Sequence, residues 1–367
     1  MNNNNKGKNM INLKKLGLSA LAGSLVAVTA QAGEMAVTGS ANMTYKTGKG
    51  NLGLTGKSIG SDKDVAFTGS GELDNGWTFV VSTLTTDALA VSSSYTSLTM
   101  GSLGTISTGT HTGGASYKYD EEVPQAYEQT SDAQQNTANL VGNQMDSGSL
   151  VYNSPAFDVM GASISFDGEY SPQADDTGAG DGGQRTYSHT VGKGYGLGVT
   201  LKYDALSIGA YGNERETKTP VVAGTDNTSD AFEGVWYAKY SYGPVSIGYS
   251  QSYLDEGQTG TAEALTAVKA ARTAAGIFES TSIGIAYNVN ENLSISYTTT
   301  EDTYDGQASI TAAQTIEDAN QDTNAIQVAY SMGAMSIKAY NMETKNPGYD
   351  TDAATQSVTE IALGLAF

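Results

Sequence analysis

From Glu34 onward, apolar or aromatic residues recur at every second position, separated by Gly, Ser, Thr or Lys. Gly196-Leu197-Gly198-Val199-Thr200-Leu201-Lys202-Tyr203 has this form, as do Val245-Ser246-Ile247-Gly248-Tyr249, Ile283-Gly284-Ile285-Ala286-Tyr287 and Leu293-Ser294-Ile295-Ser296-Tyr297. The chain ends on it, in Ile361-Ala362-Leu363-Gly364-Leu365-Ala366-Phe367. A period of two puts alternate side chains on opposite faces of an extended strand, which the helical period cannot do. The pattern predicts about sixteen strands, each with a greasy and a wet face.

A soluble sandwich also alternates, so the connectors decide between classes. They alternate between tight and long. The tight ones are Leu73-Asp74-Asn75-Gly76, Gly101-Ser102-Leu103-Gly104, Asn153-Ser154-Pro155, Tyr203-Asp204-Ala205, Tyr242-Gly243-Pro244, Asn288 to Asn292 and Ser331-Met332-Gly333, all suited to turns. Between them lie polar stretches near Lys46 to Lys63, His111 to Asp146, Ser171 to Arg185, Glu214 to Ser229, Asp255 to Ile277, Glu301 to Gln321 and Lys345 to Thr355. Only the connector near Thr86 to Ala88 is short on that side. Short turns at one end and long loops at the other predict an all-β transmembrane antiparallel barrel, turns to the periplasm and loops outward. Closure is required, because an open sheet edge in hydrocarbon strands a row of unpaired amides. Aromatic residues fall near both strand ends, Tyr203, Tyr242, Tyr287 and Tyr330 by the turns and Tyr45, Tyr170, Phe232 and Tyr297 toward the loops, as two interfacial belts require. The segment Thr261 to Arg272 is rich in helix formers and suits a short helix within an outer loop.

The first residues follow another rule. Lys14 and Lys15 precede the apolar stretch Leu16 to Val28, and Ala30-Gln31-Ala32 supplies small residues for a signal peptidase, which predicts a leader at 1–32 cut between Ala32 and Gly33. Met10 is a second possible start. Removing the four leader lysines from 19 basic residues leaves 15 against 39 acidic ones, a formal charge of -24 on the mature chain. Such a surface repels nucleic acid and favours cations. Cysteine is absent, which removes disulfides, thiolate metal sites and thiol nucleophiles together.

With strands, turns, belts and leader in place, the sequence resembles the general diffusion porins of Gram-negative outer membranes. The resemblance spans nearly all of 33–367. It is carried by Val65 to Gly76, by Ser97 to Gly109, by Ser149-Leu150-Val151-Tyr152-Asn153-Ser154-Pro155 and by the terminal strand closed by Phe367. It implies a sixteen-stranded barrel that assembles as a homotrimer among outer-membrane lipid and lipopolysaccharide, with Phe367 read by the barrel-assembly machinery. It also implies that the loop after the fifth strand, here 111–146, folds into the barrel and narrows it. The proline-glutamate-phenylalanine-glycine motif frequent in such loops is missing here.

Permeation needs no reaction, only a wet lumen and fixed charges that bias entry. The loop is acidic, with Asp120, Glu121, Glu122 and Glu128 against Lys118. By strand parity Glu72, Asp167, Glu169, Lys202, Lys239, Lys338 and Glu360 face inward. In the family, basic wall residues oppose an acidic loop. The corresponding expectation is that Asp120, Glu121 and Glu122 face Lys202, Lys239 or Lys338 in a cation-preferring channel for small hydrophilic solutes. Neither a cofactor nor a metal is expected: the acidic outer loops match no complete EF-hand. An enzyme is disfavoured because the two histidines, His111 and His189, fall at loop positions with no nucleophile elbow or HExxH motif. A surface adhesin or structural barrel is the alternative reading, and conductance separates the two.

Overall fold

The computed structural model describes residues 33–50, 56–87, 89–110, 112–131, 145, 148–174, 191–218, 225–227, 229–255, 257–260, 277–305 and 318–367. The expected leader with Ala32, the two histidines and the helix-forming segment Thr261 to Arg272 lie outside these residues.

The strands begin with β1 (Glu34–Lys49), β2 (Gly56–Glu72), β3 (Thr78–Thr85), β4 (Val91–Thr99) and β5 (Thr105–Thr110). β6 comes in two pieces, Leu150–Asn153 and Phe157–Val159, both paired with β7 (Ala162–Ser171). Then follow β8 (Val191–Tyr203), β9 (Leu206–Thr217), β10 (Ala231–Tyr242), β11 (Val245–Asp255), β12 (Ile277–Asn288), β13 (Leu293–Asp305), β14 (Ala319–Met332), β15 (Met335–Lys345) and β16 (Gln356–Ala366). Each pairs antiparallel with its sequence neighbours, and β16 pairs with β1 from Ser357 opposite Lys49 to Ala366 opposite Ser40, closing the sixteen-stranded sheet. A separate ribbon joins Thr225–Asn227 to Gln258–Gly260 across two long connectors. No helix among the described residues is long and apolar enough to cross a membrane.

The alternation read from sequence is the alternation of the wall. Ile285, Ile295, Ile337 and Ile361 lie exposed on the outside, while Ser282, Ser296, Thr300 and Gln327 between and beside them are buried on the inside. That is the reverse of a water-soluble protein, and it follows from having lipid outside and polar contents within. Tyr203, Tyr242, Tyr287 and Tyr330 are exposed near the turns and Tyr170, Tyr195, Phe232 and Tyr297 toward the loops, forming the two belts.

The seam is completed beyond the last ladder pair. Gly39 and Phe367 exchange backbone hydrogen bonds of 2.9 and 3.0 Å. The phenyl ring lies over Gly39, where any side chain would collide with it, so this position requires glycine.

One predicted turn is misplaced. Asn153-Ser154-Pro155 does not reverse the chain; Pro155 lacks an amide hydrogen and interrupts β6 instead. Ser154 bridges the gap, its backbone amide donating to the Phe166 carbonyl at 2.9 Å and its hydroxyl accepting from the Phe166 amide at 2.8 Å. The reversal occurs at Met160-Gly161, with φ of 55° and 84°, between the paired residues Val159 and Ala162. These angles suit a two-residue hairpin of the primed type.

Candidate functional site

Residues 112–131, the described start of the long connector after β5, run inside the barrel along its wall. Gly113 and Gly114 turn the chain inward with φ of 71° and 57°. The Ala115 amide then donates to Glu169 Oε2 at 3.1 Å, an oxygen that also accepts the Tyr211 hydroxyl at 2.8 Å. One turn later Lys118 pairs with Asp167 Oδ1 at 2.6 Å and the Tyr119 hydroxyl donates to Asp167 Oδ2 at 2.7 Å. Tyr119 stacks on Tyr211 with ring centroids 5.3 Å apart. Offset aromatic stacking of this kind adds to simple area burial.

Past this anchor the segment crosses to the opposite wall. Glu122 forms an ion pair with Lys239 of β10. The Ala126 amide donates to Ser296 Oγ at 2.8 Å and the Tyr127 amide to Gln327 Oε1 at 2.7 Å, while Gln327 Nε2 donates back to the Glu128 carbonyl at 2.7 Å. The Tyr127 hydroxyl reaches Glu360 Oε1 on β16 at 2.7 Å. Glu360 also accepts from Tyr340 at 3.1 Å and pairs with Lys46 of β1 at 2.8 Å. Burial first, then the carboxylates of Glu128 and Glu360, hold the Tyr127 phenol well above its ordinary pKa, so it remains a donor. Thr130 bonds Thr300 at 2.8 Å and donates to Glu121 at 3.0 Å.

The wall makes room for this path with glycine. A Cβ at Gly248 would lie 2.5 Å from Pro124 Cδ, and one at Gly284 would lie 2.7 Å from the Pro124 carbonyl oxygen and 3.0 Å from Val123 Cβ. At Gly196 and Gly198 a Cβ would strike the Tyr211 and Tyr119 rings. These glycines are needed for close approach, since the strand alone would favour a β-branched residue.

The expected charge partners separate into three cases. Glu122 meets Lys239. Lys338 lies with its ammonium 4.9 Å from the centroid of the Tyr127 ring, within electrostatic reach of Glu128. Lys202 faces inward opposite Ser163 and Ser207, one residue from the Tyr203 turn, and no contact given for the loop reaches it. Its distance along β8 from Gly198, where Tyr119 sits, explains the difference. Glu121 is buried and accepts from Thr130, and Asp120 is half-buried with its carbonyl accepting from Gln129. Asp167, Glu169 and Glu360, read from parity as wall residues, are among the points that seat the loop. Tyr119, Tyr127 and Lys46 were not legible as site residues; the inward glycines of β8, β11 and β12 were the available signal for a segment packed against them.

No curated protein matches the sequence. Solved structures do. The Salmonella typhi OmpF complex with daunomycin aligns at a TM-score of 0.63 with 13% identity, covering 91% of this chain and 97% of that one. OmpT, an outer membrane protein of Vibrio cholerae folded in vitro, aligns at 0.62 with 12% identity over 93% and 99%, and its trimer form at 0.59 with 13% identity over 92% and 100%. The anion-selective porin from Comamonas acidovorans aligns at 0.61 with 13% identity over 92% and 100%. Residues 17–314 match the family described as Gram-negative porin. Closed wall, lipid-facing belts and this match agree: the chain belongs to the Gram-negative porin family and forms a channel of the outer membrane.

Proposed function

We propose that the mature chain, cut between Ala32 and Gly33, is a passive diffusion channel that prefers cations among small hydrophilic solutes and is narrowed by the loop 111–146. The observation that carries this reading is the seating of residues 112–131 across the interior, from Asp167 and Glu169 to Glu360, which leaves less than the full lumen for passage. The excess of carboxylates supports the sign of the preference, because fixed negative charge in a confined aqueous path concentrates counter-ions. Asp120 and Glu128 add to it from the loop, while Glu122 is paired with Lys239.

A homotrimer completes the proposal. Toward the loops, the outer face of β3 to β5 carries Thr83, Ser94, Thr96 and Thr108 where β8 to β13 carry tyrosines, phenylalanine and tryptophan, and a wall whose loop-side belt is missing suits contact with another copy. The belts elsewhere meet lipid and lipopolysaccharide, and Phe367 at the seam is the signal for the assembly machinery.

Reconstitution into planar bilayers tests the reading. Stepwise, long-lived open-channel currents are expected, with a reversal potential under a KCl gradient that favours potassium. A protein that inserts without conducting sinks the channel reading, and a potential favouring chloride sinks the preference.

A further inference from the structure

We propose that Asp62 and Asp64 of β2 are the residues that set ion preference, acting at the outer mouth of the β1 to β5 wall. The inference rests on the cation-preferring reading above and locates its source.

Three observations lead there. The first is the path of the loop. The hydrogen bonds and ion pairs of residues 115–130 to the wall end on β7, β8, β10, β13, β14 and β16. Among the described residues the open passage therefore runs between this segment and the β1 to β5 wall.

The second is the state of the lysines. Lys46, Lys118 and Lys239 are paired with Glu360, Asp167 and Glu122, and Lys338 lies against the Tyr127 ring. An ammonium held against a carboxylate presents a dipole, whose field dies away faster than that of a lone charge. Among the described residues Lys46 is the one lysine facing inward on β1 to β5; Lys57 and Lys63 share the outward parity of Phe67, and Lys63 lies 3.8 Å from Asp87. Apart from Lys202, near the turn end of β8, these inward lysines are thus taken up in holding carboxylates or the loop.

The third is position. Asp62 and Asp64 share the inward parity of Thr68, which bonds Ser82 at 3.0 Å, and they lie opposite Asn42 and Ser40 of β1. Asp62 accepts a 3.4 Å bond from Asn42, and no lysine or arginine among the described residues pairs with either carboxylate. Both lie outward of Val65, the last residue of β2 paired with β3, opposite Thr85, so the two carboxylates stand at the outer mouth of the passage, above the end of β3.

The test uses the folded channel in planar bilayers, with the potassium to chloride permeability ratio taken from reversal potentials. Asp62→Asn with Asp64→Asn is expected to lower that ratio about fivefold at low salt, less at high salt. The chain has no cysteine, so Asp62→Cys gives a single labelling point. Adding a cationic thiol reagent to an already conducting Asp62→Cys channel is expected to shift the ratio toward chloride, and adding an anionic reagent to a second, unmodified Asp62→Cys channel to shift it toward potassium. A ratio unmoved by the double variant and by both reagents, in channels that still conduct, overturns the assignment and leaves the channel reading intact. A wild-type protein that conducts without favouring potassium overturns the cation reading instead.

Discussion

The wall of β8 to β16 and the wall of β1 to β5 differ in how their inner faces are covered. On β12 buried and exposed positions alternate almost without exception, whereas on β2 the residues from Gly56 to Lys63 are all exposed and the rest partly so. The outer side chains do not cause this contrast. Ile285 and Phe67 are similarly exposed to lipid, at 46% and 44%. Residues 112–131 cover inward side chains of the first half, whereas the fully exposed run of β2 lies outward of Val65, the last residue paired with β3. Gly248, Gly284 and Ser296 are small inward residues of the covered half; Asp62, Asp64 and Thr68 are exposed or half-exposed inward residues of the other.

The strongest way to break the comparison is to add bulk on each side. Gly284→Leu forces side-chain atoms into Pro124 and Val123, and overpacking of about 1–3 kcal/mol favours release of the loop. The expected result is a larger conductance and faster entry of bulky sugars in liposome-swelling assays. Thr68→Leu, half-exposed on the inner face of β2, should lower the current. Equal signs for the two variants would end the distinction between walls. Next in size is Tyr127→Phe, which leaves the buried Glu360 short of a donor at a cost of about 1–3 kcal/mol. Frequent brief closures in single-channel records are expected with little change in the thermal unfolding of the barrel, because the strand ladders are untouched. Lys239→Met removes the partner of Glu122 and should produce the same flicker more weakly, since Tyr127 and Tyr119 still hold both ends of the segment. The smallest effect belongs to Lys202→Gln, on the covered half but away from the loop, whose open-channel current should stay near that of the parent.

What could be read from sequence was whatever the lipid dictates. An outer face in hydrocarbon admits few exceptions, so Ile283-Gly284-Ile285-Ala286-Tyr287 announced both a strand and its orientation. Six of the seven tight turns stand where Asn, Asp, Gly or Pro placed them. The seventh failed because Asn153-Ser154-Pro155 carries the strongest turn composition in its neighbourhood, while the true turn holds Met160, an unusual choice for positive φ. The interior was less legible. Parity put Lys202, Lys239 and Lys338 on one wall but says nothing about height, and height decides which of them meets the loop. Gly284 reads as a gap in an otherwise ordinary strand until Pro124 is known to lie against it.

The contact between Tyr127 and Glu360 spans 233 residues of chain, and Glu360 is tied to Lys46 across the junction of first and last strands. Contacts so remote in sequence form late, after the entropy of closing the intervening loops has been met. Order of assembly follows from this: a ribbon whose ends have not yet joined lacks the receptor for the loop tip. Newly inserted chains are accordingly wide before they are narrow, and the transition to the restricted state reports, within each molecule, that its circumference is complete.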